Sequence, residues 1–165
     1  MKHPYLQQRF ADIDAILVHG RSIVDSIVAA SATKTADLPT QHYLGGYAVV
    51  AICGIYEDCI EKMFSIRAGK AGDADLEHFM EKTMDALFRN PDYAKIKGFL
   101  NRLNPTLGAA LDAVVQHQHL SGLDSIVTTK NDIAHGKPSK VTLHDVEEYH
   151  KRALIVFDTL EGLIC

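Results

Sequence analysis

Apolar residues recur along this chain at three- and four-residue intervals, which is the period of a helix with one buried face. Leu6, Phe10, Ile13, Leu17, Val24 and Ile27 mark such a face and predict a first helix over residues 4–31, with Pro4 suited to its first turn. Residues 30–46, "ASATKTADLPTQHYLGG", are small and polar, with a proline and a glycine pair. They predict a loop over 32–45 with a late helix start. The next stretch, "GYAVVAICGIYEDCIEKMFSIRAGKAG", is apolar on all sides in its first half, which predicts a central, buried helix. Its second half is amphipathic through Ile52, Ile55, Tyr56, Cys59, Ile60 and Met63, and Gly69 and Gly72 end it.

Shorter elements follow. Asp73 or Asp75 can cap a helix carrying Leu76, Phe79, Met80, Met84 and Leu87. "RNPD" breaks the chain at Pro91, and residues 92–103 form a short helix through Tyr93, Ile96, Phe99, Leu100 and Leu103. "NPT" breaks it again, with Thr106 as cap for a helix from 107 to about 119. "LSGLDSIVTTKNDIAH" is helical, with Leu123, Ile126, Val127, Ile133 and Ala134 apolar. The last helix, about residues 143–164, carries the strongest signals. Thr142 and Asp145 stand where a capping box would be, though such boxes prefer Glu or Gln, and Val141 and Val146 are spaced as a hydrophobic staple. There is no alternating strand pattern, internal repeat or long linker. The expectation is all-α: one helical bundle formed by residues 1–165.

Composition changes this picture little. The chain is 47% hydrophobic and 23% charged, and 165 residues suffice for a core without staples. A net charge of −4 argues against a broad surface coating nucleic acid, but not against a small cationic cleft. The three cysteines, Cys53, Cys59 and Cys165, form neither a disulfide framework nor a zinc motif. The first residues lack the apolar core of a signal peptide, and no run approaches ~18 uninterrupted apolar residues. A cytoplasmic protein with no membrane partner is expected.

Candidate chemistry concentrates in "KNDIAHGKP", residues 130–138. Local rules account for it as a helix end: His135 in the last turn beside the helix dipole, Gly136 as left-handed C′ residue, and Pro138 as stop. The stretch nevertheless gathers polar groups. Asn131 and His135, four apart, share a face. Lys130 lies about 140° from His135 around the axis, at ~100° per residue, within reach of a long stem.

Other candidates are weaker. Nine histidines are many, but His117 and His119 in "HQH" point about 160° apart on a helix and suit a solvated helix end better than a metal. His144 and His150 lack an i+4 partner, and His42 and His78 are isolated, so no metal or cofactor is expected. "YLGGYA" follows no strand and is no phosphate loop. Arg67 and Lys70 in "RAGKAG" read as a solvated turn.

"TTKNDIAHG" between apolar helices, ahead of a final amphipathic helix, resembles the HEPN superfamily of all-α nucleases, and more narrowly its RiboL-PSP-HEPN type, over residues 8–164. The family motif is an arginine, often followed by a polar residue, with a histidine four to six positions on. Asn131 and His135 match it, and Lys130 stands where the arginine would be. The earlier apolar helix resembles the family's second feature, an apolar run leading to a glutamate, here Glu57. Lysine keeps the charge but not the planar fork.

The resemblance implies a metal-independent endoribonuclease working as a homodimer with a shared cleft. In it His135 would be acid and base, Lys130 the phosphate contact, and Asn131 the group that orients the imidazole or binds a phosphate oxygen. Glu57 either marks where its helix reaches solvent or turns toward the cleft to pair with Lys130 or His135. A toxin or phage-defence role, and an antitoxin or other protein partner, are implied by analogy. Two alternatives stay open: a catalytically inactive HEPN-like domain that binds RNA, nucleotide or a protein, and a helical interaction module without a nucleic-acid role.

Overall fold

A computed structural model describes residues 1–31, 37–87 and 89–165. Among these residues there are seven helices and no strand: α1 (Pro4–Ala30), α2 (Leu38–Gly69), α3 (Ala74–Leu87), α4 (Tyr93–Leu103), α5 (Pro105–Val114), α6 (His117–Ala134) and α7 (Leu143–Ile164). The all-α bundle expected from the periodicity is present. α2 is its hub and packs against α1, α3, α6 and α7, while α6 lies along α7. Buried side chains from six of the helices and Met84 of α3 form one cluster around Ile52, Tyr56, Met63, Ile126 and Phe157. By length and a window of mean hydropathy 1.2, α2 could cross a membrane, yet 56% of that window is buried inside the bundle.

The caps show why the helices start where they do. The Asp73 carboxylate accepts the N–H groups of Asp75 and Leu76 at 3.0 and 3.1 Å, so Asp73 rather than Asp75 caps α3. Asp92 accepts from Lys95 N at 2.8 Å at the start of α4. On α7, Thr142 N donates to Asp145 at 2.9 Å and Asp145 N to the Thr142 hydroxyl at 3.3 Å, completing the box with aspartate in place of glutamate. The Thr142 hydroxyl and backbone N–H hold the Asp145 carboxyl below its usual pKa.

Four expectations are corrected. The loop over 32–45 ends early: Asp37 is the N-cap of α2, and Leu38 and Pro39 open the helix. Residues 32–36 lie outside the described residues. The Gly45–Gly46 pair, taken as a loop signal, serves close packing instead. A Cβ on Gly45 would sit 2.1 Å from the Val141 carbonyl oxygen, so α2 touches the backbone ahead of α7 directly. The helix expected from 107 to 119 is α5, Pro105–Val114, and its cap is Asn104, whose side chain accepts from Thr106 N at 3.0 Å. A new helix then begins at His117. There His119 is buried rather than solvated, and its Nδ1 accepts the Gln116 N–H at 3.0 Å.

Two polar contacts tie α7 to the rest. Buried Glu161 accepts the backbone N–H groups of Lys2 at 2.7 Å and His3 at 2.6 Å, fixing the start of α1. His150 lies in the core with its Nδ1 2.8 Å from the Tyr56 hydroxyl, ringed by Phe10 and the neighbouring Phe157. Burial lowers the His150 pKa to about 4, so the ring is neutral near pH 7.

Candidate active site at the end of α6

The C-terminus of α6 is built by a Schellman motif. Gly136 takes φ +76°, and its N–H reaches Ile133 O at 2.9 Å, while Lys137 N–H reaches Asp132 O at 2.9 Å. The Lys137 ammonium closes the turn on the Asp132 carboxylate at 2.7 Å. His135 is the C-cap, with φ −90° and ψ 14°, and its N–H donates to Asn131 O at 3.0 Å. The backbone of His135 therefore has a structural task. Its side chain is exposed, and the imidazole makes no hydrogen bond or ion pair with any described residue. Asn131, one turn earlier, is half-buried.

Lys130 points elsewhere. Its stem crosses to α2, where Nζ lies 3.8 Å from Glu57 Oε1 and donates to the side chain of Asn90. The ion pair is largely screened from water, with the two side chains 25% and 22% exposed. Glu57 thus pairs with Lys130, and no hydrogen bond or ion pair among the described residues joins it to His135. Glu57 Oε1 also accepts the Asn90 N–H at 2.7 Å, and Cys53 Sγ, one helical turn back, lies at 3.9 Å. Burial, with Glu57 adding to it, pushes the Cys53 thiol up to about 12, so it is no nucleophile at neutral pH.

Asn90 is the residue that sequence reasoning missed. "RNPD" reads as a break, and nothing local announces that its asparagine joins α2 to α6. The available signal is residue type. Asn90 adopts φ +58°, a left-handed conformation that asparagine tolerates better than other residues with a side chain. That conformation lets the N–H address Glu57 while the side-chain oxygen accepts from Lys130. Lys95 secures the turn through the carbonyls of Arg89 at 3.0 Å and Asn90 at 3.1 Å.

The region thus has two parts. Glu57, Asn90 and Lys130 form an interlocked cation site drawn from α2, the α3–α4 turn and α6. His135 stands apart at the helix tip, and no hydrogen bond or ion pair among the described residues joins it to that site. A lysine has three N–H donors, so Lys130 retains capacity for an anion beyond its bond to Asn90. The arrangement offers a positioned positive charge and, apart from it, an exposed imidazole.

The sequence model of the RiboL-PSP-HEPN family matches residues 13–165. No curated protein and no solved structure matches the chain.

Proposed function

The chain belongs to the RiboL-PSP-HEPN family, and from that premise we propose that it is a metal-independent endoribonuclease acting as a homodimer. The observation that carries this reading is the division of labour in "KNDIAHGKP". Lys130 is held in place by Glu57 and Asn90, while the His135 imidazole is exposed and makes no hydrogen bond or ion pair among the described residues.

RNA carries its own nucleophile. A base removes the 2′-OH proton, the 2′-oxygen attacks phosphorus, and the P–O5′ bond breaks as an acid protonates the departing 5′-oxygen. The products are a 2′,3′-cyclic phosphate and a 5′-hydroxyl. One chain offers one histidine at this site, and the reaction uses two proton carriers. Two copies related by a two-fold axis supply both, with one His135 as base and the other as acid. Lys130 stabilises the charge that grows on the phosphorane oxygens. Glu57 and Asn90 act as positioning residues for that ammonium, and Asn131 orients the imidazole or binds a phosphate oxygen. We place this activity in the cytoplasm, as a toxin or defence effector with an antitoxin or other protein as its restraint.

A second reading has its own support. Lys130 replaces the family's arginine, and its charge is partly balanced by Glu57. Both features fit a domain that binds RNA, nucleotide or a partner without cutting. Incubation of the purified protein with single-stranded and structured RNA in excess chelator separates the two. The nuclease reading expects cyclic-phosphate ends from the parent and none from His135→Ala. Equal cutting by both proteins would sink the assignment of His135, and binding without cutting would favour the second reading.

A further inference from the structure

Beside the tip of α6 runs a groove of about 620 Å³. One wall is the first half of α2, with Tyr43, Tyr47 and Val50. The other is the end of α6 and the turn after it, with Ile133, Lys137 and Pro138. The floor is thin at Gly46, where a Cβ would lie 3.4 Å from Ile133 and 3.5 Å from the Ser139 Cβ. Tyr43 and Tyr47 are 81% and 69% exposed, although both belong to the helix that forms the centre of the bundle. Neither ring makes a hydrogen bond or ring contact with any described residue. Being four residues apart, both project from one face of α2.

We infer that this groove is a stacking platform for the unpaired bases of a single-stranded RNA, a subsite that feeds the scissile bond to His135. The inference rests on the nuclease reading above. Three observations carry it.

The first is position: Lys137 and Pro138 in the groove wall are two and three residues beyond His135. The second is spacing. Tyr43 and Tyr47 are set about 6 Å apart along the helix by its rise, so each exposed ring can take one base of a strand whose bases are unpaired and free to turn outward. The third is charge. The described lining holds His42 and Lys137 and no carboxylate, and exposed Lys140 lies in the same turn. Although Lys137 shares its ammonium with Asp132, the rim suits a polyanion.

The probe is a 2′-O-methyl single-stranded octanucleotide carrying 2-aminopurine, which lacks the nucleophile and so cannot be cut. Its binding to the parent is compared with Tyr43→Ala/Tyr47→Ala and Tyr43→Phe/Tyr47→Phe, each also sized by sedimentation. Loss of two base stacks predicts about 10- to 100-fold weaker binding for the alanine pair, with the phenylalanine pair within about 3-fold of the parent. Sedimentation is expected to be unchanged. The same strand in a duplex should bind more weakly and ignore the tyrosine changes. Equal binding by the alanine pair and the parent overturns the inference. So does dissociation of the alanine pair into smaller species, which assigns the groove to a second copy. A parent that binds no oligonucleotide also overturns it. Cutting of unmodified RNA by that same preparation would then leave the nuclease reading standing, and absence of cutting would remove both.

Discussion

The two ends of α6 each carry a histidine, and they use it in opposite ways. At the N-terminal end His119 is buried, and its Nδ1 takes the Gln116 N–H, so the side chain serves the first turn. At the C-terminal end the helix stops through Gly136 and backbone bonds, and the His135 imidazole contributes nothing to the stop. A helix end explains His119 completely and His135 only as far as its backbone. An exposed imidazole with no hydrogen-bond or ion-pair partner among the described residues, one residue past a helix that also holds an anchored lysine, is the arrangement a proton carrier needs.

Substitutions sharpen that contrast, the largest effect first. His135→Ala should lower RNA cutting by about 10²–10⁴-fold, the range for removing a general acid–base. Its unfolding midpoint should match the parent, because the imidazole holds nothing. A lowered midpoint would make His135 a second His119. Lys130→Met should reduce cutting by about 10²–10³-fold, as for loss of one electrostatic donor. It should also destabilise the fold slightly by leaving Glu57 without its cation, and rates equal to the parent would show that the site does not use this charge.

A third histidine provides a control on stability alone. His150 is neutral in the folded core with its pKa lowered to about 4, against an ordinary value of 6.5. Between those values the unfolded chain binds the proton more readily, so stability is complete above about pH 6.5 and falls as the pH drops toward 4. The loss should be about 2 kcal/mol at pH 5, read by urea unfolding at pH 7 and pH 5. A flat profile would contradict the buried, neutral ring. The smallest effect is expected from His119→Ala, about 1 kcal/mol of stability, as for other lost caps. Cutting per folded molecule should be unchanged, and a specific loss of activity would erase the distinction between the two ends of α6.

What could be read from the chain follows from how local each signal is. Caps act within one turn, so Thr142–Asp145, Pro4, Gly136 and Pro138 locate their helix ends correctly. Long-range packing carries no such mark. The Gly45–Gly46 pair resembles a loop in sequence and is in fact where α2 meets the Val141 carbonyl. Asn104 and Thr106 are both good caps, and only the fold decides between them. In the candidate site, the sequence groups Lys130, Asn131 and His135 because they share one segment. The partnership of Lys130 with Glu57 depends on α2 and α6 lying side by side, and Asn90 enters only through the turn that closes on both.

The central claim is that two His135 side chains, one from each copy, serve a single cleft. Parent and His135→Ala chains, co-refolded in varied ratio at constant total protein, test it most directly. The account predicts that cutting falls as the square of the parent fraction, because a mixed dimer lacks one of its two proton carriers. A linear fall would mean that each copy cuts with its own histidine, and would contradict it.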